Sequence, residues 1–390
     1  MKLFDCQVCC QTLYFENTAC ERCGHRLGYV PEDQDLYAVV PAGGTVDRDW
    51  QIAGDTTRTF RFCANAQHGV CNWLVPSDQA GDYCVACRHN HTVPNLSKPG
   101  NGELWRLMEI AKHRLFYTLI ALKLPIVSRS EDPERGLVFE FLEDPADGGR
   151  VMTGHDDGRI TIAIAEADDA ERERRRKIMR EPYRTLLGHF RHEIGHYYWD
   201  RLVRDGPALA HCRDIFGDDR AHYGEALARH YREGAPADWR ERFVSAYATS
   251  HPWEDFAETF AHYLHILDTL ETAEAFGVAT HPRGIAQAEA LSTTIDFAPD
   301  KAVSIRPLMK AWLPLTFALN SLNRSMGMGD LYPFVLTPAI IEKLGFIHDL
   351  VHGRVAATRP EPPAMEPYAP VPENAPPPDS PSFVGAEQAP

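Results

Sequence analysis

Two histidines four residues apart, His192 and His196, enclose a glutamate in the stretch His192-Glu193-Ile194-Gly195-His196. On an α-helix the two imidazoles stand one turn apart on one face and can reach the same metal ion. Glu193 lies beside them, where its carboxylate can take a proton from a metal-bound water. That is chemistry for hydrolysing a peptide bond with zinc as the Lewis acid. Such a site also needs a third protein ligand and one open position. The best source is His251-Pro-Trp-Glu-Asp-Phe-Ala-Glu-Thr-Phe-Ala-His-Tyr-Leu-His265. Helical spacing there sets Glu254, Ala257, Glu258, Ala261, His262 and His265 on one polar, small-residue face. Glu254 is the expected third ligand and Glu258 its competitor; either acid could instead orient a histidine. The alanines allow two helices to approach closely, as a shared metal requires. His189, one turn before His192, reads as packing or as a neighbour of the ligands.

The cysteines carry a second kind of metal chemistry. Cys6-x2-Cys9 and Cys20-x2-Cys23 have the spacing of two zinc-ribbon knuckles, each presenting two thiolates. Gly24 follows the second pair, where a knuckle commonly turns with positive φ. Cys10, next to Cys9, is a spare thiol. Cys63, Cys71, Cys84 and Cys87 form a further set, with His68 as a substitute for one of them. Four thiolates leave no position for a substrate, so both sets read as closed structural sites. The expected cofactors are one catalytic and two structural zinc ions. The first ninety or so residues hold few large aliphatic side chains, and metal clips would supply the missing stability.

The elements that must position these residues follow from periodicity and punctuation. Asn95 to Gly102 reads as a linker, and Glu103 to Leu124 has helical apolar spacing stopped by Pro125. Gly136 to Leu142 and Arg159 to Ala165 read as strands, the second expected at a sheet edge where it pairs with an extended substrate. Asp156-Asp157-Gly158 reads as a turn before it. The His192 helix is expected from about Pro182, and further helices over Ile305 to Leu322 and Pro338 to Val351. Asn320 to Ser325 is polar enough to line a cleft. From Ala357 onward proline dominates, with eleven between Pro360 and Pro390, so this stretch reads as a disordered tail.

Bulk properties narrow the function classes. The 390 residues are 44% hydrophobic and 24% charged, as in a soluble globular protein of two or three domains. A formal charge of −15 argues against nucleic acid as a partner. The one basic cluster, Arg172 to Lys177, is interleaved with Glu171 and Glu173 and reads as a solvated helix face. Met1-Lys-Leu-Phe-Asp-Cys-Gln7 has no apolar leader character. The longest apolar run, Phe116 to Val127, is broken by Lys123 and Pro125, so no membrane span is expected. A cytoplasmic location with reduced cysteines follows as the expectation.

His-Glu-x-x-His together with Glu254-x-Phe-Ala-Glu258-x-Phe260 resembles the gluzincin peptidases, in which the first glutamate of the second motif is the ligand. A tyrosine seven residues before that ligand faces the zinc in such a domain. The resemblance therefore implies that Tyr247 donates a hydrogen bond to the oxyanion. The whole layout is similar to a bacterial family described as zinc-binding metallopeptidases with an N-terminal zinc ribbon. The matching stretches are Cys6 to Cys23, Cys71 to Val75, Gly154 to Gly158, Ala167 to Glu171, Gly188 to Asp200, His251 to His265 and Asp330 to Phe334. Cys10 departs from the pattern, standing where glycine is expected. The implied fold is α+β: a cysteine-rich zinc-ribbon domain over residues 1–95, then a mainly helical zincin-type metallopeptidase domain with a small sheet over 100–355, then the tail over 356–390. The implied activity is peptide hydrolysis with His192, His196 and Glu254 on zinc and Glu193 as general base. The expected partners are a peptide or protein substrate, and a protein bound through the ribbon. An adaptor protein with a vestigial zinc site is the alternative, disfavoured because a purely structural site needs no base between its histidines. A nucleic-acid-binding ribbon is a second alternative, disfavoured by the acidic balance.

Overall fold

The computed structural model describes residues 1–44, 48–145, 149–179, 184–286 and 288–355. The proline-rich stretch and Pro182 lie outside the described residues. A short hairpin, β1 (Phe4–Asp5) and β2 (Thr12–Leu13), carries Cys6 and Cys9 in its connection. Cys10 and Gly24 occupy matching places in the two knuckles. Each donates its backbone N–H to the first cysteine of its own pair, Cys6 and Cys20, at 2.8 Å. Each does so with positive φ, 57° at Cys10 and 74° at Gly24, which is the physical reason for expecting glycine at position 10.

An antiparallel meander follows: β3 (Arg26–Val30), β4 (Asp35–Pro41), β5 (Trp50–Ile52), β6 (Asp55–Phe62) and β7 (Leu74–Pro76). The second cysteine set hangs from the end of this sheet. Its last member, Cys87, leads within three residues into β8 (Asn90–Thr92). That strand leaves the meander and joins another sheet with β9 (Val138–Leu142), β10 (Gly154–Asp156) and β11 (Arg159–Ala163), in the order β10-β11-β9-β8. β8, β9 and β11 run parallel, and β10 runs antiparallel to β11.

β11 is therefore not the edge strand that its sequence suggests. Asp157 and Gly158 both take positive φ, 41° and 84°, which closes a two-residue hairpin and folds Gly154–Asp156 onto Arg159–Thr161. The edge passes to β10.

In the chain α1 (Asn101–Ala121) connects β8 to β9. The remaining helices are α2 (Asp169–Met179), α3 (Leu186–Leu202), α4 (Leu209–Phe216), α5 (Tyr223–Glu233), α6 (Pro252–Ala275), α7 (Ile305–Ser325) and α8 (Pro338–Val351). A two-stranded hairpin, β12 (Ala279–Thr280) with β13 (Thr293–Thr294), precedes α7. The result is an α+β fold, a cysteine-rich β region followed by a mainly helical one. A continuous apolar core runs from Phe4 and Trp73 through Phe116, Phe139 and Phe190 to Val351.

Two helices matter most for the site. α3 opens on Thr185, whose hydroxyl accepts from the Gly188 N–H and so satisfies a free donor of the first turn. α6 opens on His251, which caps Trp253, with Pro252 in the first turn. They pack where Gly195 meets Ala257: a Cβ on Gly195 would lie 3.0 Å from the Ala257 Cα and 3.1 Å from its carbonyl oxygen. Ala257, one of the alanines that the sequence offers on α6 for close approach, is at this contact.

Candidate metal centre

His192 and His196 project from α3 toward the first turn of α6, where Glu254 stands. The two Nε2 atoms are 3.2 Å apart, and Glu254 Oε2 lies 3.0 Å from His192 Nε2 and 3.4 Å from His196 Nε2. Bonds of about 2.0–2.1 Å to a tetrahedral ion would set neighbouring nitrogen and oxygen ligands about 3.3–3.4 Å apart. The spacing fits one ion. Glu254 Oε2 is buried, and the two histidine nitrogens at 3.0 and 3.4 Å are the partners it faces.

The geometry separates the two acids that the sequence left in competition. Glu258 is behind His192: its Oε1 accepts from Nδ1 at 2.7 Å, and its Oε2 accepts from the Ser245 hydroxyl at 2.6 Å. With a proton held on Nδ1, Nε2 would be free to ligate an ion shared with Glu254. Glu254 Oε1 accepts from the Tyr223 hydroxyl at 2.7 Å. Burial works to lower His192, yet its bonds to Glu254 and Glu258 hold it well above the usual imidazole range. Burial works to raise Glu254, yet His196 and His192 hold it well below the usual carboxylate range. Both directions describe a strongly coupled cluster of opposite charges.

Glu193 is 7% exposed, on the same helix turn as His192 and His196. Burial, reinforced by the Glu254 and Glu258 charges, pushes its carboxyl up to about 7. A dication in the site would pull that value down again. Aromatic rings wall the rest. Trp253 lies over His196 at 3.7 Å between centroids, and Tyr247 is 5.9 Å from the His192 ring. His155, on the edge strand β10, is 6.1 Å from His196. The sheet edge and the two helices thus share one locality.

Other singled-out residues are used elsewhere. His189 faces the buried Glu166 at 3.4 Å, beside Arg175 and Arg184. His262 Nδ1 pairs with the Tyr332 hydroxyl at 2.7 Å, and His265 contacts Arg191. Asn320 holds the Tyr332 backbone through both its amide groups, so it braces a loop.

The cysteines gather as two separate groups. Within each, the four sulfurs lie within 4.8 Å of one another, with Cys6–Cys23 at 3.6 Å, Cys9–Cys20 at 3.5 Å and Cys71–Cys84 at 3.8 Å. Sulfurs at about 2.3 Å from a tetrahedral zinc would be about 3.8 Å apart. His68 is not in the second group; its ring packs 5.5 Å from that of Trp105. A different histidine adjoins it: His113 of α1 has Nε2 3.4 Å from the Cys71 sulfur and 3.8 Å from that of Cys87. Glu109, on the preceding turn, lies 3.6 Å from Cys87 and pairs with the equally buried Lys112 at 2.8 Å. Sequence reasoning missed these three, although polar residues inside the apolar stripe of α1 were a visible signal. It also missed Tyr223, which no local pattern marks.

Residues 101–350 match the family described as "Putative zinc-binding metallo-peptidase", and residues 3–98 match a zinc-ribbon domain. The chain belongs to this metallo-peptidase family. The resemblance read from its motifs is to the same family. Uncharacterized proteins of Mycobacterium tuberculosis and Mycobacterium bovis are 45% identical to it over 357 residues, 90% of this chain and 95% of theirs. No solved structure matches. Membership brings zinc binding and a metallopeptidase-like role to a chain whose cysteine clusters and histidine pair suit zinc. No helix of the described residues is long and apolar enough to cross a membrane.

Proposed function

We propose that the chain is a zinc-dependent peptidase acting on a peptide or protein substrate, with His192, His196 and Glu254 holding the catalytic ion. The observation that carries this reading is the convergence of three lone-pair atoms, two imidazole Nε2 and one carboxylate oxygen at 3.0–3.4 Å, with Glu193 beside them. Zinc bound there would lower the pKa of a water toward neutrality and polarise a carbonyl. Glu193 takes the proton of the attacking water and passes it to the leaving amine. Burial raises its carboxyl and a bound dication would lower it again, so the two act in opposite directions on the group that accepts and returns the proton. Tyr247 donates to the oxyanion. β10 pairs on one side with β11, and its other side offers backbone groups to an extended peptide.

The two cysteine groups each hold one structural zinc, so the chain carries three ions in all. Residues 1–95 act as the ribbon that recruits a protein partner; residues 100–355 carry the chemistry, in the cytoplasm. Glu193→Gln tests the reading. The variant should keep its full zinc content and lose about 10²–10⁴-fold in peptide cleavage. Cleavage products compared across the proteome of cells carrying either form should name the substrate. Retained zinc with a wild-type cleavage rate would overturn the mechanism.

A further inference from the structure

The two oxygens of Glu254 are treated differently. Oε2 sits between the histidine nitrogens, and Oε1 accepts the Tyr223 hydroxyl at 2.7 Å. This matters because a carboxylate can bind a metal through one oxygen or through both. Two-oxygen binding would take the position that a catalytic zinc must leave open.

Tyr223 comes from outside the helix pair that carries the ligands. It is the first residue of α5, a helix that buries only Ala226 among its side chains. Its place is nevertheless set from α6 at two points. His251 caps α6 through Nδ1, and its Nε2 donates to the Ala221 carbonyl at 3.0 Å, two residues before Tyr223. The Tyr223 ring then packs 5.3 Å from His251 and 5.6 Å from Trp253. The cap of the ligand-bearing helix and the ligand itself therefore grip the same short segment. A phenol 39% exposed to solvent needs no such arrangement for its own burial.

We propose that Tyr223 is a positioning residue: its hydroxyl occupies Glu254 Oε1 and restricts that side chain to one-oxygen ligation, keeping the fourth position of the ion available to water and substrate. The inference rests on the zinc-site reading above and deepens it. It also makes the seat of α5 part of the metal site, because any displacement of that helix frees the second oxygen.

The test uses the full-length chain with zinc kept in both cysteine sites and cobalt(II) exchanged into the histidine site. Each visible spectrum is read as the difference from a His192→Ala chain loaded in the same way, which cancels any cobalt in the cysteine sites. Tyr223→Phe should shift the cobalt bands and change their intensity, as the second Glu254 oxygen enters the ion's coordination in place of water. Zinc affinity at that site should change by about 10-fold or more. Tyr231→Phe, a like change on the exposed side of α5, should reproduce the wild-type spectrum. A Tyr223→Phe spectrum superimposable on wild type overturns the assignment, and so does an equal change in Tyr231→Phe. If the wild-type chain cleaves no peptide, the spectral difference still stands and only the peptidase reading falls.

Discussion

Glu258 accepts from His192 Nδ1 at 2.7 Å on the side of the imidazole that faces away from Glu254. The same residue is in turn fixed by Ser245 at 2.6 Å, so a hydroxyl, a carboxylate and an imidazole form one line ending at the candidate metal position. Such outer partners fix the tautomer and raise the basicity of a ligating histidine, and their loss typically costs about 10–100-fold in metal affinity. Glu258→Ala should weaken zinc at the histidine site by that factor and leave the cysteine sites filled. Competition with a chelating indicator, read alongside total zinc per chain, measures both. Unchanged affinity would show that Glu258 is only a packing group.

The contact of Gly195 with Ala257 gives a second prediction. An added methyl at position 195 would meet the Ala257 backbone at 3.0–3.1 Å and the Phe260 Cβ at 3.2 Å. Backbone cannot yield as a flexible side chain can, so Gly195→Ala must push α3 and α6 apart. Overpacking of this kind costs about 1–3 kcal/mol. Because the two helices carry the two halves of the proposed ligand set, zinc affinity should fall with stability. Urea unfolding and zinc titration of the same variant check the pair of effects; a drop in stability alone would mean that the helices part elsewhere.

Much of this was legible in the sequence wherever the deciding distances lie within one turn or one knuckle. The His192–His196 spacing, the cysteine pairs and the amphipathic α1 are local patterns of that sort. Glu254 and Glu258 share a helix face, and only the crossing of α6 over α3 decides which one meets the Nε2 atoms. β10 has three residues, too few for an alternating pattern, though the Asp157-Gly158 turn that folds it into place could be read. β8 is Asn-His-Thr, with no apolar face to announce a strand. Tyr223 and His113 act 31 and 42 residues away from their partners Glu254 and Cys71, a separation that no periodicity encodes.

Lys112 and Glu109 form an ion pair with both side chains fully buried, against the second cysteine group. The Glu109 carboxylate also accepts from Trp105 Nε1 at 3.0 Å and from Asn90 Nδ2 at 2.7 Å, which ties α1 to β8. Removing one member of a buried pair strands the other charge and costs about 3–5 kcal/mol. Lys112→Met should destabilise the chain by that amount in urea. Adding Glu109→Gln should recover part of it, because the neutral amide oxygen still accepts from Trp105. If the double variant is no more stable than the single one, charge is not the reason the lysine is there.

Acid should destabilise the fold through histidines buried in neutral form. His348 is fully buried on α8, with Nδ1 3.0 Å from the Tyr263 hydroxyl; burial, with the His352 and Arg354 charges, lowers it from 6.5 to about 3. Burial likewise lowers His262 to about 4. A folded-state value below the unfolded one means that the unfolded chain binds the extra proton between those limits. Stability is therefore complete above about pH 6.5 and falls as the pH drops toward the folded values, by up to about 1.4 kcal/mol per pH unit for each group. His348→Phe removes one such group. Its melting temperature should be lower than wild type at pH 7, through loss of the Tyr263 bond, but should decline less steeply between pH 6.5 and 4. Parallel slopes for the two proteins would assign the acid sensitivity to other groups.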